Sequence, residues 1–560
     1  MLIKAFINQD SHFSLKFVQG MWPSKDEKDH SFFYSRLDSN HLIERKTLIK
    51  ACKSNITISR SCSAEIPLFY FLSAESELYI SDSVNELQQR IKQPVDIDTA
   101  YEYIYSQFLP KDKTLFFGIY QLLNLEEIKF YIEEGKVSIL RNDKFFLPMV
   151  EMLDDSEKNI ALQLRQEIGR AHKQRMGTRN ALFLSGGIDS QVMAVTLSRD
   201  LGLGKSLQGL HFHVKGASQN ELLDARNTAT NLDIDFTAIE VDPNKKISLD
   251  LLLKSNAPYI GSISISTLLG EASLSPDTTV YTGQDTRLHT PTFKGIDENF
   301  ISFLSKPLIG SLISRFSTKI LEGYIFSGGR YDSKIYRNLS FLSQVNNVKH
   351  YLANRYFKIS KFPFQDNRKQ SELLGRISSD LKGLDDSSMR SLFNGLVAAL
   401  WRRQYLYDIN YMQSCTSEYG LKLAAPFYDG SLADFSAQLP YELVTRLTSG
   451  RSGHGAKKVS VNKYLLRSAY QGELDDSLIY RDKAVCLTSH MFFNGGLVKD
   501  LEGFMNDDWV SKNESSRMLY LHEIQTICSY KHKNWREQDH WLMMVVFNSL
   551  IVYKSLRELD

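Results

Sequence analysis

A chain of 560 residues exceeds what one ordinary core supports and predicts roughly two to four domains. With 42% hydrophobic and 24% charged residues it has globular composition, and a net charge of +2 leaves no footprint for nucleic acid. The cysteines Cys52, Cys62, Cys415, Cys486 and Cys528 form no C-x-x-C pair, and neither a basic leader nor about 18 consecutive apolar residues is present, so a soluble cytoplasmic protein engaging neither nucleic acid nor membrane is expected.

From the start to residue 147 the chain alternates polar turns with aromatic and β-branched runs, such as Pro67-Leu68-Phe69-Tyr70-Phe71, Glu77-Leu78-Tyr79-Ile80-Ser81 and Thr114-Leu115-Phe116-Phe117-Gly118-Ile119. This predicts mostly sheet, with a helix over 97–107 and a final hairpin over 125–140 turning at Glu134-Gly135. A charged amphipathic helix is predicted over 154–176. Strands at 207–214 and 234–241 flank a helix at 220–231, the alternation of parallel βαβ units, in which ligands sit beyond the carboxyl ends of the strands. A further strand over 278–281 leads into Thr282-Gly283-Gln284-Asp285-Thr286-Arg287-Leu288-His289.

The first strand of that α/β region runs straight into Ser185-Gly186-Gly187-Ile188-Asp189-Ser190. Adjacent glycines let the backbone approach an anion and take positive φ, and the N–H groups that open the next helix favour negative charge. Ser185 and Ser190 add hydroxyl donors. Asp189 would repel a phosphate directly, so beside such a cradle it suits a Mg2+ that bridges phosphates. The plain alternative is a strand–helix turn with Asp189 as its cap. No Gly-Lys-Ser/Thr ending follows, which argues against γ-phosphate transfer.

Ser-Gly-Gly-Ile-Asp-Ser resembles the motif of the N-type ATP pyrophosphatases, and among them the asparagine synthetase-like enzymes. The resemblance implies an α+β N-terminal glutaminase-like (Ntn-type) β-sandwich over 1–150, followed over 151–560 by an α/β adenine nucleotide alpha hydrolase-like parallel-sheet domain. It implies binding of ATP by Ser185, Gly186, Gly187, Asp189 and Ser190, with Val214 near the adenine and Gly283 on the second loop. Val214 reads equally well as a buried strand end. Mg2+ falls to Asp189 and Asp285, although the second loop departs from the family's Ser-Gly-Glu-Gly-Ser-Asp. The active glutaminase needs an N-terminal cysteine nucleophile, and position 2 is Leu. The nitrogen then comes from an amine already on a substrate, as in the similar β-lactam synthetases, carbapenam synthetases and lasso peptide cyclases.

Further along, Tyr407-Asp408-Ile409-Asn410-Tyr411-Met412 precedes Leu423-Ala424-Ala425-Pro426-Phe427-Tyr428-Asp429, where the family has a Tyr-Asp helix and Arg-Val-Pro-Phe-Leu-Asp. Ala424 replaces the arginine. Lys463-Tyr464-Leu465-Leu466-Arg467 and Arg481-Asp482-Lys483 match Lys-x-Leu-Leu-Arg and Arg-x-Lys. The resemblance gives Lys483 the transition-state charge, a role in which comparable donors are worth roughly 3 to 4 kcal/mol. Asp408, with Tyr411 on its helix, is a candidate to take the amine's proton, or a structural cap. Residues 291–399 read as an insertion that shapes substrate selection toward a larger acceptor such as a peptide, or that serves dimerisation or stability. The expected activity is an ATP-dependent amide-forming synthetase that releases AMP and pyrophosphate and acts on a small molecule or peptide bearing a carboxylate and an amine, with a macrolactam or β-lactam-like closure among the outcomes. A partner protein or homodimer is compatible with it. The alternatives are a catalytically inactive nucleotide-binding scaffold and an adenylating enzyme with a sulfur or hydroxyl acceptor.

Overall fold

Alternating apolar and polar residues commit the first part of the chain to pleated strands with one buried face. The computed structural model describes residues 2–7, 13–19, 24–26, 31–34, 47–51, 54–61, 65–143, 152–217, 221–245, 249–253, 255–283, 303–304, 306, 308–326, 334–345, 347–357, 359–360, 362, 364–379, 381, 389–400, 406–449, 458–474 and 489–559. Eleven strands come first: β1 (Leu2–Ile7), β2 (Phe13–Gln19), β3 (Ser24–Asp26), β4 (Ser31–Tyr34), β5 (Thr47–Ala51), β6 (Asn55–Arg60), β7 (Phe69–Leu72), β8 (Leu78–Ser81), β9 (Ile119–Gln121), β10 (Glu126–Glu133) and β11 (Lys136–Asp143). They form two antiparallel sheets, ordered β2-β1-β8-β7-β9 and β11-β10-β6-β5-β4-β3. Ile3, Tyr70, Leu78 and Ile80 of one sheet and Ile49, Ile56, Ile58, Ile128 and Phe130 of the other share a single core. Each large aliphatic side chain so buried contributes about 1.5–3 kcal/mol. On the other face of the first sheet Leu2, Phe69 and Tyr79 pack against Val84 and Leu87 of helix Val84–Ile91.

The hairpin β10–β11 turns at Glu134 and Gly135, both at positive φ (50° and 75°), the geometry that matches strand twist in a two-residue loop. The run 114–119 is not a continuous strand. The Thr114 hydroxyl donates to the Ile119 carbonyl at 2.9 Å and Gly118 takes φ 73°, so the segment folds into turns before β9 begins. Helix Ile97–Ser106, capped by Asp96, buries its aromatic residues away from the sandwich core. Its Tyr103 hydroxyl donates to Pro258 O and its Tyr105 hydroxyl to Leu519 O, while Asn548 of helix His540–Arg557 donates to Tyr103 O.

The second part holds β12 (Asn180–Phe183), β13 (Leu207–Val214), β14 (Asp235–Val241), β15 (Thr279–Tyr281) and β16 (Lys422–Ala424), all pairs parallel, in the order β14-β13-β12-β15-β16. Helix Glu157–Lys173, capped by Ser156, precedes β12, and helices Ile188–Val195 and Leu222–Asn231 connect the strands on one side of it. The order reverses between β12 and β15, which opens a crevice at their carboxyl ends. Between β15 and β16 the described chain is helical, with Ile309–Phe326, Lys334–Leu342, Val348–Phe357, Asn367–Ser379 and Met389–Leu400. A hairpin of β17 (Thr445–Ser449) and β18 (Lys458–Asn462) follows. Among the described residues no helix is long and apolar enough to cross a membrane.

Candidate active site

Beyond β12 the loop closes on its own hydroxyls. Ser185 N donates to Ser190 Oγ at 3.1 Å, Gly187 N donates to Ser185 Oγ at 3.1 Å, and the two hydroxyl oxygens stand 3.1 Å apart. Gly187 has φ −77°, so its lack of a side chain serves space and not a left-handed backbone, in contrast to the conformation the sequence suggested. A Cβ there would stand 3.2 Å from Ser185 Oγ. Gly186 N donates to the Glu221 carboxylate at 3.1 Å, an acid of the chain itself resting on a loop N–H that suits an anion.

The other side of the loop faces β15. A Cβ on Gly283 would lie 3.1 Å from Asp189 Cβ and 3.5 Å from Ser190 N, so the glycine lets the end of β15 sit directly on the helix N-terminus. Asp189 makes a short ion pair with Lys463 Nζ, a contact between residues 274 positions apart. Lys463 stands at φ 58° immediately before helix Tyr464–Ala469, and its side chain is almost fully enclosed. The segment that carries it is pinned to the elements around β12. Tyr464 Oη donates to Glu157 at 2.7 Å, Tyr470 and Thr196 hydroxyls meet at 2.8 Å, and Arg165 lies 5.1 Å over the Tyr470 ring while pairing with Glu473 at 2.9 Å. Thr196 begins a π-helical turn, Thr196–Asp200, which continues helix Ile188–Val195. The sequence displayed Lys463 in a motif without revealing that it ends on Asp189.

Asp189 is one carboxylate at the loop, and among the described residues no group of three His, Cys, Asp or Glu side chains could hold a metal ion. That donor set fits Mg2+, which takes one or two carboxylates and fills its remaining positions with phosphate and water oxygens.

Under the crevice, β16 ends in an ionic cluster shared by both parts of the chain. Glu65, from the connection between β6 and β7, accepts from Arg175 Nε at 2.8 Å and from Ala425 N at 3.2 Å. Arg175 Nη1 donates to Asp429 at 2.8 Å, and the side chains of Arg175, Glu65 and Asp429 are 0%, 5% and 0% exposed. Burial pushes the Asp429 carboxyl up, but Arg175 and the Ser431 hydroxyl outweigh it and hold the group at about 2. His172 stacks on Tyr281 of β15 and donates through Nδ1 to the Ile168 carbonyl at 2.7 Å, and complete burial drives its pKa down to about 3. Arg60, also buried, is lowered to about 10 by desolvation, against a raising influence from Tyr428.

Of the residues singled out in the sequence, Ser185, Gly186, Gly187, Asp189, Ser190 and Gly283 meet at the switch point. Val214 closes β13, nearly buried, with its carbonyl accepting from Ala217 N at 3.0 Å. Asp408 and Tyr411 lie buried on helix Leu406–Glu418, where Tyr411 stacks on Tyr259 with ring centroids 5.1 Å apart. Gln284, Asp285, Arg287, His289, Arg481 and Lys483 lie outside the described residues.

Residues 325–552 match the family described as asparagine synthase. Over those residues, less than half of its length, the chain is similar to asparagine synthases. The match takes in the helices from Lys334 onward, Asp408, Lys463 and Asp429, while the Ser185–Ser190 loop lies ahead of it. At that coarse level the asparagine synthase domain is one of an ATP-dependent ligase that forms carbon–nitrogen bonds. No curated protein matches the chain. Among solved structures it resembles an NH3-dependent NAD synthetase from Campylobacter jejuni subsp. jejuni NCTC 11168 in complex with the nitrate ion, at 15% identity over 38% of this chain and 100% of that one. At a TM-score of 0.18 that likeness adds nothing to the sheet order described above.

Proposed function

We propose that this asparagine synthetase-like chain adenylates a substrate carboxylate with ATP and passes the acyl group to an amine. The carboxylate oxygen bonds to the α-phosphorus as the bond to pyrophosphate breaks. The amine nitrogen then bonds to the acyl carbon as the bond to AMP breaks, and the amine gives up a proton. The observation that carries this reading is the Ser185–Ser190 loop at the switch point with the Lys463 ammonium held beside it on Asp189. Ser185, Ser190 and the Gly186 N–H are suited to the leaving pyrophosphate, and Lys463 brings a positive charge to the same place. When bound, Mg2+ would offset phosphate charge, with Asp189 as its protein ligand. Glu221 and Lys463 must then exchange present partners for the triphosphate. Lys483 is proposed to stabilise charge at the reacting carbon, and Asp408 with Tyr411 to receive the amine's proton.

The N-terminal part is proposed to be a degenerate glutaminase-like sandwich. Its two antiparallel sheets share one core, with Leu2 packed between the first sheet and helix Val84–Ile91. The amine is proposed to belong to a substrate, a small molecule or peptide of a biosynthetic route. Exchange of labelled pyrophosphate into ATP, driven by metabolite or peptide fractions of the source organism, tests the reading. Exchange with one fraction that disappears in Asp189→Ala and Lys483→Ala supports carboxylate adenylation. If ATP binds but neither exchange nor AMP release occurs with any pooled carboxylate and amine fraction, the chain is a nucleotide-binding scaffold.

A further inference from the structure

The ladder between β12 and β13 ends where the phosphate loop begins. Leu184 N still donates to Leu210 O at 2.8 Å, which continues the parallel register that pairs Phe183 with Leu210. In that register the next acceptor, Leu184 O, would take Phe212 N. It accepts instead from the side chain of His211, whose Nδ1 lies 2.9 Å away. A carbonyl oxygen only accepts, so Nδ1 carries the proton of the neutral ring. The residue is 5% exposed, and its ring packs beside those of Phe236 in β14 and His213, with centroids 6.4 and 6.3 Å away.

This bond reaches the loop through one rigid unit. Leu184 C=O and Ser185 N–H belong to the same planar trans peptide and point in opposite directions. His211 holds one end of that plane, and the other end donates to Ser190 Oγ at 3.1 Å, the bond that closes the loop. Without the imidazole the plane is free to turn, and the Ser185 N–H leaves Ser190 with it. Stability alone gives little reason for an imidazole here. Its Nε2 is buried without a hydrogen-bond partner among the described residues, a cost that an apolar side chain would not carry. We infer that His211 is a positioning residue, which sets the Leu184–Ser185 peptide so that the Ser185–Ser190 loop receives the pyrophosphate end of ATP, a role that rests on the nucleotide reading of that loop.

Calorimetric titration of the full chain with ATP and with inorganic pyrophosphate, each in the presence of Mg2+, tests the inference beside urea unfolding. His211→Leu removes the donor and keeps an apolar body. Both dissociation constants should rise ~10-fold or more while the urea midpoint stays close to that of the wild type. His211→Asn places an amide N–H where Nδ1 stands and should bind within ~3-fold of the wild type. In NMR spectra of nitrogen-labelled histidines the His211 ring should be the Nδ1–H tautomer, its signals identified by their loss in His211→Asn. Unchanged binding in His211→Leu, equal weakening in both variants, a urea midpoint that falls in step with affinity, or an Nε2–H tautomer overturns the inference and leaves the nucleotide reading standing. A wild type that binds neither ligand overturns both.

Discussion

Gly283 and Lys463 are where a single side chain decides whether the loop can work. A methyl at Gly283 must displace Asp189 or the backbone of the following helix, since its Cβ would stand 3.1 Å from Asp189 Cβ. Gly283→Ala is expected to lower pyrophosphate exchange by ~10-fold or more while costing only about 1–3 kcal/mol of stability, read by urea unfolding beside the exchange assay. An equal loss of both would mean that the glycine matters only to folding. Lys463→Met removes the ammonium beside Asp189 and keeps the stem. Its ATP dissociation constant should rise ~10-fold or more, measured by calorimetry, and unchanged binding would remove Lys463 from the phosphate site. The loop itself was legible because its chemistry is local: strand, two small residues, two hydroxyls and an acid. Lys463 was legible only as part of a motif, because the contact it makes spans 274 residues.

The helices and strands around the crevice also carry a pH response. His172 ends helix Glu157–Lys173 in full burial, with a folded pKa near 3 against about 6.5 when unfolded. Between those values the unfolded chain binds the extra proton, so stability rises with pH there and falls as the solution is acidified below about 6.5. The slope for one such group approaches about 1.4 kcal/mol per pH unit. Urea unfolding from pH 7 to 5 should show this decline, and His172→Asn should flatten it; an unaltered slope would place the response elsewhere. At this scale the hairpin β10–β11 and helix Ile97–Ser106 were readable from turn residues and aromatic periodicity. The turn at 114–119 was not, because apolar content suggests a strand and only the Thr114 hydroxyl and Gly118 reveal the bend.

Across the whole molecule the two parts are joined by polar burial as well as by packing. Glu65 belongs to the sandwich side, yet it neutralises Arg175 and receives Ala425 N at the end of β16. Removing one partner of a buried pair leaves an uncompensated charge, so Glu65→Ala should destabilise by about 3–5 kcal/mol in urea unfolding. Glu65→Gln keeps an acceptor for Ala425 N and should cost less. If both variants unfold like the wild type, the cluster is not a fastening between the parts. Asp429, folded near 2 against about 3.9 unfolded, adds stability above pH 4 that is lost as pH falls toward 2. The two-sheet part of the chain thus has a physical task beyond its own core, since the end of β16 in the parallel-sheet part depends on its carboxylate.

The sequence by itself determined the local devices: the anion-ready loop after β12, the capped helix Glu157–Lys173, the alternation of strands and helices that makes a parallel sheet, and the family to which the motifs point. These follow from neighbours within a few residues, where backbone geometry and hydrophobic period dictate the outcome. Only the tertiary structure decided that Lys463 reaches Asp189, that Glu65 serves a sheet it does not belong to, that helix Ile97–Ser106 packs against helix His540–Arg557, and that helix Ile309–Phe326 turns its large apolar face outward. Each of these is a pairing between distant segments, or a helix rotation fixed by one, and no local pattern encodes which distant side chain will be the partner.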